Sequence, residues 1–305
     1  MRRGVIDIGT NSTRLFLAEV DDGKVGDVLE RRTVITRLGA GVDADGRLAD
    51  DAMERVYAVL DDYRALIDRH GGARVVAVMT SAVRDAANGA GFARTVGDRW
   101  RFEPHILSGD DEARLTFLGA TSERDPGDRT PTLVVDIGGG STEFVIGTGH
   151  DVAYHVSNQA GVVRQTERHL HSDPPTREEC EALARDVRAV FAAAVPPERR
   201  ESVARAIGVA GTATSMASIA QGLEPYDPDK VEGYVVDEAE CRRILERLAR
   251  LALPERREVR GLHPDRAPTI VAGVIILLET LALFGLSSFE VSEHDILRGA
   301  ALGLS

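Results

Sequence analysis

The sequence predicts an α/β protein built from two similar domains. Short apolar runs with the length of buried strands alternate with longer segments whose apolar residues recur at helical spacing. One local motif also occurs twice: an apolar run ends in Asp, turns through Gly and hydroxyl residues, and resumes as a second apolar run. The copies begin at Val5 and Val134, so we expect the second half of the chain to repeat the opening of the first.

Local signals place the elements of the first half. Apolar runs predict a strand that ends at Asp7 and further strands over residues 15–20, 26–37, 74–79 and 105–107. The Asp-Asp-Gly sequence at residues 21–23 suits a hairpin turn. Residues 50–69 carry apolar side chains at helical spacing, and a second helix contains Phe92 and Val96. Ser108 is a candidate N-cap, so a third helix should follow it.

The second half begins after a polar stretch, residues 122–130, that reads as a linker. Beyond it the order of strand, Gly turn, strand and third strand returns. Helices are predicted over residues 178–191 and 238–251, and residues 206–210 form a strand that leads through Gly211-Thr212-Ala213-Thr214-Ser215 into a helix over 216–221. The apolar run 270–286 is interrupted by Gly and Glu, which argues against a membrane span.

Composition narrows the possible functions. The chain has 305 residues, enough for two domains, and a net charge of −12, which argues against a broad nucleic-acid surface. Its two cysteines are isolated, so neither a disulfide framework nor a zinc site is expected. The N-terminus lacks the apolar stretch of a secretory signal. We therefore expect a cytoplasmic protein that binds neither nucleic acid nor membrane.

The repeated Asp-Gly turn is suited to phosphate. Glycine lets backbone N–H groups approach an anion closely, and Asp at a strand end can hold Mg²⁺ together with phosphate oxygens. Each copy alone could equally be an ordinary β-hairpin turn, but the repetition of Asp, Gly, Ser and Thr in register favours two phosphate-binding loops. The copies differ where their chemistry would differ, because Arg14 in the first stands where Glu143 stands in the second.

Each of the other candidate residues could have a functional role or an ordinary structural one. Glu112 follows a strand beside Asp110 and Asp111, and could be a general base or simply a favourable acidic residue in a first helical turn. Arg84 at a strand end could bind phosphate or be an ordinary loop arginine. His169 and His171 precede the sequence Ser-Asp-Pro-Pro at residues 172–175, so we expect them to lie in a loop at a helix end and not to bind a metal as a pair. A GxxxxGK[ST] motif and a suitably placed GxGxxG motif are absent from the sequence.

Five segments together resemble the motifs of the exopolyphosphatase/guanosine pentaphosphate phosphohydrolase (Ppx/GppA) family. In order, they are Asp7-Ile8-Gly9-Thr10-Asn11-Ser12, Thr80-Ser81-Ala82-Val83-Arg84, Ser108-Gly109-Asp110-Asp111-Glu112-Ala113-Arg114, Asp136 through Glu143, and Gly211-Thr212-Ala213-Thr214. The resemblance covers nearly the whole chain. The stretches 170–176 and 291–297 look most like the short, two-domain actinobacterial members.

This resemblance implies a duplicated actin-like ATPase-domain (ribonuclease-H-like) fold with two domains facing a cleft. The first domain would hold residues 1–120 and a returning C-terminal helix within 292–305, and the second residues 121–291. The implied activity is Mg²⁺-dependent release of terminal orthophosphate from inorganic polyphosphate, with a homodimer as the assembly.

The resemblance also implies roles for individual residues. Glu112 would be the base that activates water. Asp136 and Glu143, with Asp7, would organise Mg²⁺. Phosphate would be bound by residues of the three Gly/hydroxyl turns and by three arginines: Gly9, Thr10, Asn11, Ser12, Arg14, Arg84, Gly138, Gly139, Gly140, Ser141, Thr142, Gly211, Thr212 and Arg266.

Three other functions stay open from the sequence. The chain could hydrolyse guanosine pentaphosphate in the same fold, act as a sugar or acetate kinase that binds ATP with the same loops, or serve as a non-catalytic sensor of polyphosphate or of guanosine pentaphosphate or tetraphosphate. Glu112 in its Ser-Gly-Asp-Asp-Glu-Ala-Arg setting favours a hydrolase that activates water over a kinase.

Overall fold

The chain divides into two compact units. The computed structural model describes residues 1–304, without the side chain of Asp43, so Ser305, the last residue of the predicted returning segment, lies outside the described residues. The first unit contains Met1–Ser122 and the chain from Asp295 onward, and the second contains Glu123–His294. These boundaries fall a few residues beyond the expected 120/121 and 291/292.

The first unit, in its described part, is a five-stranded sheet with helices. Its strands are β1 (Arg2–Ile8), β2 (Ser12–Asp21), β3 (Lys24–Ile35), β4 (Arg74–Met79) and β5 (Glu103–Ile106). Its helices before the linker are α1 (Val42–Asp45), α2 (Asp50–Arg69), α3 (Ser81–Asp85), α4 (Gly89–Trp100) and α5 (Gly109–Thr121). The spatial order is β3-β2-β1-β4-β5, in which β1, β2 and β3 are antiparallel and β4 and β5 run parallel to β1.

The second unit, which the structure describes throughout, repeats this order in a six-stranded sheet. Its strands are β6 (Thr132–Ile137), β7 (Thr142–Thr148), β8 (Asp151–Asn158), β9 (Arg205–Val209), β10 (Val235–Asp237) and β11 (Ser288–Val291). Its helices are α6 (Val162–His169), α7 (Arg177–Ala194), α8 (Pro197–Arg200), α9 (Ala210–Gln221), α10 (Pro228–Val231), α11 (Glu238–Ala249), α12 (Leu253–Arg257) and α13 (Ile270–Phe284), with a 3₁₀ turn at Pro264–Arg266. The last helix of the chain, α14 (Ile296–Gly303), belongs to the first unit.

The strand order confirms the predicted duplicated fold. The series β8-β7-β6-β9-β11 matches β3-β2-β1-β4-β5, and β10 is an added edge strand. In each unit a three-stranded antiparallel meander is followed by parallel strands reached through helices, which is the ribonuclease-H-like arrangement. The two Asp-Gly turns therefore occupy equivalent places, between the first and second strands of each sheet.

Packing follows the apolar pattern of the sequence. In the first unit, α2 buries Val56, Leu60, Tyr63 and Ile67 along one face, as expected of an amphipathic helix. In the second unit, α13 is buried along nearly its whole surface, so a stretch of strongly apolar sequence forms the centre of the core. Among the described residues, no helix is long and apolar enough to cross a membrane.

Candidate functional site

The first Asp-Gly loop connects β1 to β2 and is closed by its own backbone. The Gly9 amide donates to the Ser12 carbonyl oxygen at 3.0 Å. The carbonyl oxygens of Thr10 and Asn11 accept hydrogen bonds from the amides of residues 36, 37 and 39, which follow β3. A Cβ atom at position 39, which is glycine, would collide with the Thr10 side chain. The segment after β3 therefore fixes the carbonyl side of the loop.

The second loop connects β6 to β7 and repeats this arrangement. The Gly138 amide donates to the Ser141 carbonyl oxygen at 2.9 Å, and the carbonyl oxygens of Gly138, Gly139 and Gly140 accept from the amides of residues 161–164, at the start of α6. A Cβ atom at Gly161 would overlap the loop backbone. Since the carbonyl oxygens are held, the orientation of the loop peptide groups is fixed, and fixed consecutive amides are what an anion site requires.

Asp7 and Arg14 lie opposite each other on β1 and β2. Arg14 Nε and Nη2 donate to Asp7 Oδ2 at 2.9 and 2.7 Å, and Arg14 Nη1 donates to an oxygen of Asp295, just before α14. These three side chains are at most 15% exposed. Arg14 thus bridges two buried carboxylates. Its predicted contact with phosphate stays a prediction.

Asp7 keeps one oxygen without a protein partner. Its Oδ1 is buried and accepts no hydrogen bond from any residue that the structure describes. Burial raises the pKa of Asp7, Arg14 lowers it, and the charge of Asp295 raises it again, so the net direction is upward. A buried carboxylate oxygen is costly unless it meets a donor or a cation. This oxygen therefore fits the predicted part of Asp7 in binding Mg²⁺, which favours carboxylate ligands.

Glu112 lies in the first turn of α5, as the sequence predicts. The Ser108 Oγ accepts from the Asp111 amide at 3.1 Å, so the predicted N-cap is confirmed. Arg84, at the end of α3, donates from Nη1 to Glu112 Oε2 at 2.9 Å and to the Leu107 carbonyl oxygen at 3.0 Å. The guanidinium therefore holds the Glu112 carboxylate against the start of α5.

The environment of Glu112 favours a proton acceptor. Burial raises its pKa, and this effect exceeds the lowering by the hydrogen bond and charge of Arg84, while the charges of Asp7 and Asp85 add to the rise. A carboxyl group whose pKa is shifted upward accepts a proton more readily in its ionised form. The environment of Glu112 therefore fits general-base catalysis.

Asp136 and Glu143 lie opposite each other on β6 and β7, at the position equivalent to Asp7 and Arg14. Glu143 Oε1 accepts from the Ser157 hydroxyl at 2.8 Å. Two carboxylates directly opposite each other on neighbouring strands repel, and a divalent cation would relieve that repulsion. Among the described residues, no group of three or more His, Cys, Asp or Glu side chains could hold a metal. The predicted part of this pair in binding Mg²⁺ stays a prediction.

The third Gly/hydroxyl segment differs from its predicted conformation. The sequence suggests a turn over residues 211–215 before a helix at 216, whereas α9 already begins at Ala210. The Ser215 hydroxyl donates to the Gly211 carbonyl oxygen at 2.7 Å, so a residue that often favours turns is satisfied within the helix. A Cβ atom at Gly211 would strike the Arg266 guanidinium. Glycine therefore allows Arg266 to lie on the start of α9.

Two predicted phosphate-binding threonines direct their hydroxyl groups toward the protein. Thr142 Oγ1 donates to the Ala160 carbonyl oxygen at 2.8 Å. The Thr212 side chain is buried close to Gly273 of α13. Backbone amides, and not these hydroxyl groups, are the groups through which both residues would bind an anion.

The structure adds three residues that the sequence did not single out. Arg164 Nε donates to the Gly140 carbonyl oxygen at 2.9 Å, Ser81 Oγ lies 2.9 Å from Thr10 Oγ1, and Asp295 pairs with Arg14. Ser81 and Asp295 stand inside segments that carry the family resemblance, which is the signal that could have identified them. Arg164 lies in an amphipathic helix and gives no such signal.

Comparison with known proteins places these features in one family. The Ppx/GppA phosphatase family matches residues 5–302. Exopolyphosphatase 2 of Mycobacterium tuberculosis is 39% identical, in an alignment that covers 100% of this chain and 98% of that protein.

Solved structures agree with the sequence comparison. The Ppx/GppA family member of Aquifex aeolicus superimposes with a TM-score of 0.82 at 33% identity, covering 99% of this chain and 96% of that one. An exopolyphosphatase from Cytophaga hutchinsonii gives a TM-score of 0.87 at 26% identity, covering 99% and 98%. The chain described here belongs to the Ppx/GppA phosphatase family.

Proposed function

We propose that this protein is an exopolyphosphatase, which hydrolyses inorganic polyphosphate and releases its terminal phosphate as orthophosphate. The observation that carries the proposal is Glu112, a largely buried carboxylate in a first helical turn, fixed by Arg84 and with its pKa raised. A hydrolase needs such a base to activate water, whereas a kinase transfers the phosphoryl group to another acceptor. The name of the M. tuberculosis relative supports polyphosphate as the substrate.

The chemical step uses few protein groups. Water attacks the terminal phosphorus while Glu112 accepts one of its protons, and the bond between that phosphorus and the bridging oxygen breaks. The products are orthophosphate and a polyphosphate shorter by one residue. Phosphoryl transfer depends mainly on positioning and charge stabilisation, which the fixed amides of the Asp-Gly loop in the unit of Glu112 would supply.

Mg²⁺ is part of the proposal. When bound, it would place positive charge on the phosphate oxygens. In the second unit, Asp136 and Glu143 would be its ligands, because they lie opposite each other on neighbouring strands and Mg²⁺ favours carboxylate ligands. In the first unit, the Oδ1 atom of Asp7 offers a further buried oxygen.

The decisive variant is Glu112→Gln. It keeps the size of the side chain and its place in α5 but cannot accept a proton, so phosphate release should fall by about 10²- to 10⁴-fold. Binding of polyphosphate should persist. Glu178→Gln is the matched control, since Glu178 also stands in a first helical turn, that of α7, and is exposed. Wild-type rates in Glu112→Gln would exclude Glu112 as the base.

Side-by-side phosphate release from short polyphosphate, long polyphosphate, guanosine pentaphosphate and ATP tests the substrate. We expect polyphosphate to be preferred. Preference for guanosine pentaphosphate would make the protein a guanosine pentaphosphate phosphohydrolase, and binding without release from any substrate would make it a sensor of polyphosphate or of guanosine pentaphosphate or tetraphosphate.

We further propose that the protein works in the cytoplasm as a homodimer, in line with its family resemblance. Light scattering on the purified protein tests the assembly, and fractionation of the source cells tests the location.

A further inference from the structure

We propose that Asp295 is a positioning residue of the catalytic site: acting through Arg14, it holds Asp7 so that one Asp7 oxygen remains available to a ligand. The three side chains form one connected set, which we call the Asp7-Arg14-Asp295 trio. The inference rests on the proposed function in one respect, because it takes Asp7 to be part of the reacting site.

Both oxygens of Asp295 are engaged. One accepts from the Leu297 amide at 3.0 Å and so caps the first turn of α14, and the other accepts from Arg14 Nη1. A carboxylate held at both oxygens has a fixed orientation. The Arg14 guanidinium therefore donates its hydrogen bond to the N-cap residue of α14 at a defined place.

The position of Asp295 is itself fixed by close helix packing. A Cβ atom at Gly119 of α5 would overlap the Asp295 carbonyl oxygen, and one at Gly299 of α14 would overlap the Leu115 carbonyl oxygen. Two glycines thus let the backbones of α5 and α14 touch, and α5 carries Glu112 in its first turn. The packing of α14 on α5 therefore fixes the position of Asp295 relative to the helix that carries the proposed base.

The charges of the trio give Asp295 a second effect. Arg14 donates from Nε and Nη2 to Asp7 Oδ2, and the buried Oδ1 of Asp7 has no hydrogen-bond partner in the part of the chain that the structure describes. Asp295 adds a negative charge to that of Asp7, against the positive charges of Arg14 and of Arg31, which also acts on Asp295. The site is therefore more negative with Asp295 than without it, which favours a divalent cation or a donating water at the Asp7 oxygen.

Asp295→Asn separates this role from helix capping. Asparagine caps a helix about as well as aspartate, and the remaining Asp7-Arg14 pair is still balanced, so the variant should fold. Asp237→Asn is the matched control, because Asp237 caps α11 by accepting from the Glu240 amide at 2.7 Å and is not a member of the trio.

Three measurements on the full-length chain test the inference. We expect Asp295→Asn to lower kcat on polyphosphate by about 10- to 100-fold, the range found when a residue that orients a metal ligand is changed, and to weaken Mn²⁺ binding, measured by calorimetry without substrate, by several-fold. In ¹⁵N-arginine NMR spectra, the Arg14 Nε–H signal, assigned with Arg14→Lys, should exchange faster with water. Asp237→Asn should change none of these quantities.

The inference is overturned if Asp295→Asn matches Asp237→Asn in Mn²⁺ binding and in Arg14 exchange, whatever its kcat, because Asp295 would then not act through the trio. If the wild-type chain releases no phosphate from polyphosphate, the proposed function fails, while Mn²⁺ binding and Arg14 exchange still decide the role of Asp295.

Discussion

The state of Glu112 depends on two opposed effects. Burial disfavours its charged form and raises its pKa, whereas the Arg84 hydrogen bond at 2.9 Å favours the charged form and lowers it. Burial is the larger effect, so the carboxyl group loses its proton at a higher pH than an exposed glutamate does. Arg84 keeps this rise within limits and also fixes the orientation of the carboxylate.

Arg84→Gln should therefore change the pH profile of phosphate release. Without the guanidinium the pKa of Glu112 rises further, and since a general base must be ionised, the acidic limb of kcat/KM should move to higher pH. Arg74→Gln is the matched control, because Arg74 stands at the start of β4 and pairs with exposed Glu103 at 2.9 Å. A profile measured between pH 5 and pH 9 checks this; an unmoved acidic limb in Arg84→Gln would show that this limb reports another group.

At the level of elements, each Asp-Gly loop is held at its carbonyl oxygens by the segment that follows the third strand of its unit. In the second unit, Gly161 at the start of α6 touches the loop so closely that a Cβ atom would overlap the backbone of residues 139–141. Backbone cannot rotate away as a flexible side chain can, so any larger residue at this position must displace the loop.

Gly161→Ala tests this support. Overpacking typically costs about 1–3 kcal/mol of unfolding free energy, and displaced amides should raise KM for polyphosphate more than they lower kcat. Gly91→Ala in α4 is the control: the added methyl group there approaches only the end of the Arg94 side chain, and alanine favours a helix over glycine by up to about 1 kcal/mol. Urea unfolding and steady-state kinetics measure both effects, and an unchanged KM in Gly161→Ala would contradict the role of α6.

The elements that could be predicted from the sequence are those whose apolar residues follow a clear helix or strand pattern. Residues 50–69 form α2 and residues 74–79 form β4 with the expected bounds, because one face of the helix is apolar and the strand is a continuous apolar run. The predicted start of α9 was wrong, because the Ser and Thr residues there, which suggest a turn, form part of the helix, where the Ser215 hydroxyl bonds to the helix backbone. α13 is apolar on every side, so its sequence carries no period that would identify a helix.

At the level of the whole molecule, the duplication of the Asp-Gly motif could be predicted because each copy is a continuous segment of the sequence. The Asp7-Arg14-Asp295 trio could not, since Arg14 and Asp295 are 281 positions apart in the sequence. The only local sign was that Arg14 and Glu143 differ at equivalent positions. In the structure the first copy pairs its aspartate with arginine, whereas the second has two acidic residues opposite each other on neighbouring strands.

The net charge of the protein affects the rate at which a polyanion encounters it. The chain carries −12 and should repel polyphosphate at long range, while loop amides and nearby arginines attract it at short range. The Debye length is about 30 Å at 0.01 M salt, about 8 Å at 0.15 M and about 3 Å at 1 M. Salt therefore removes the long-range repulsion first and weakens the short-range attraction only at higher concentration.

We consequently expect kcat/KM on long polyphosphate to pass through a maximum as ionic strength rises from 0.01 M to 1 M at fixed free Mg²⁺. The rising limb reflects loss of repulsion and the falling limb loss of attraction to the site. Tripolyphosphate, which carries fewer charges, should give a flatter curve, and kcat at saturation should change little because it does not include the encounter. A steady fall from the lowest salt for both substrates would mean that local positive charge dominates at every distance and that the net charge has no part in the encounter.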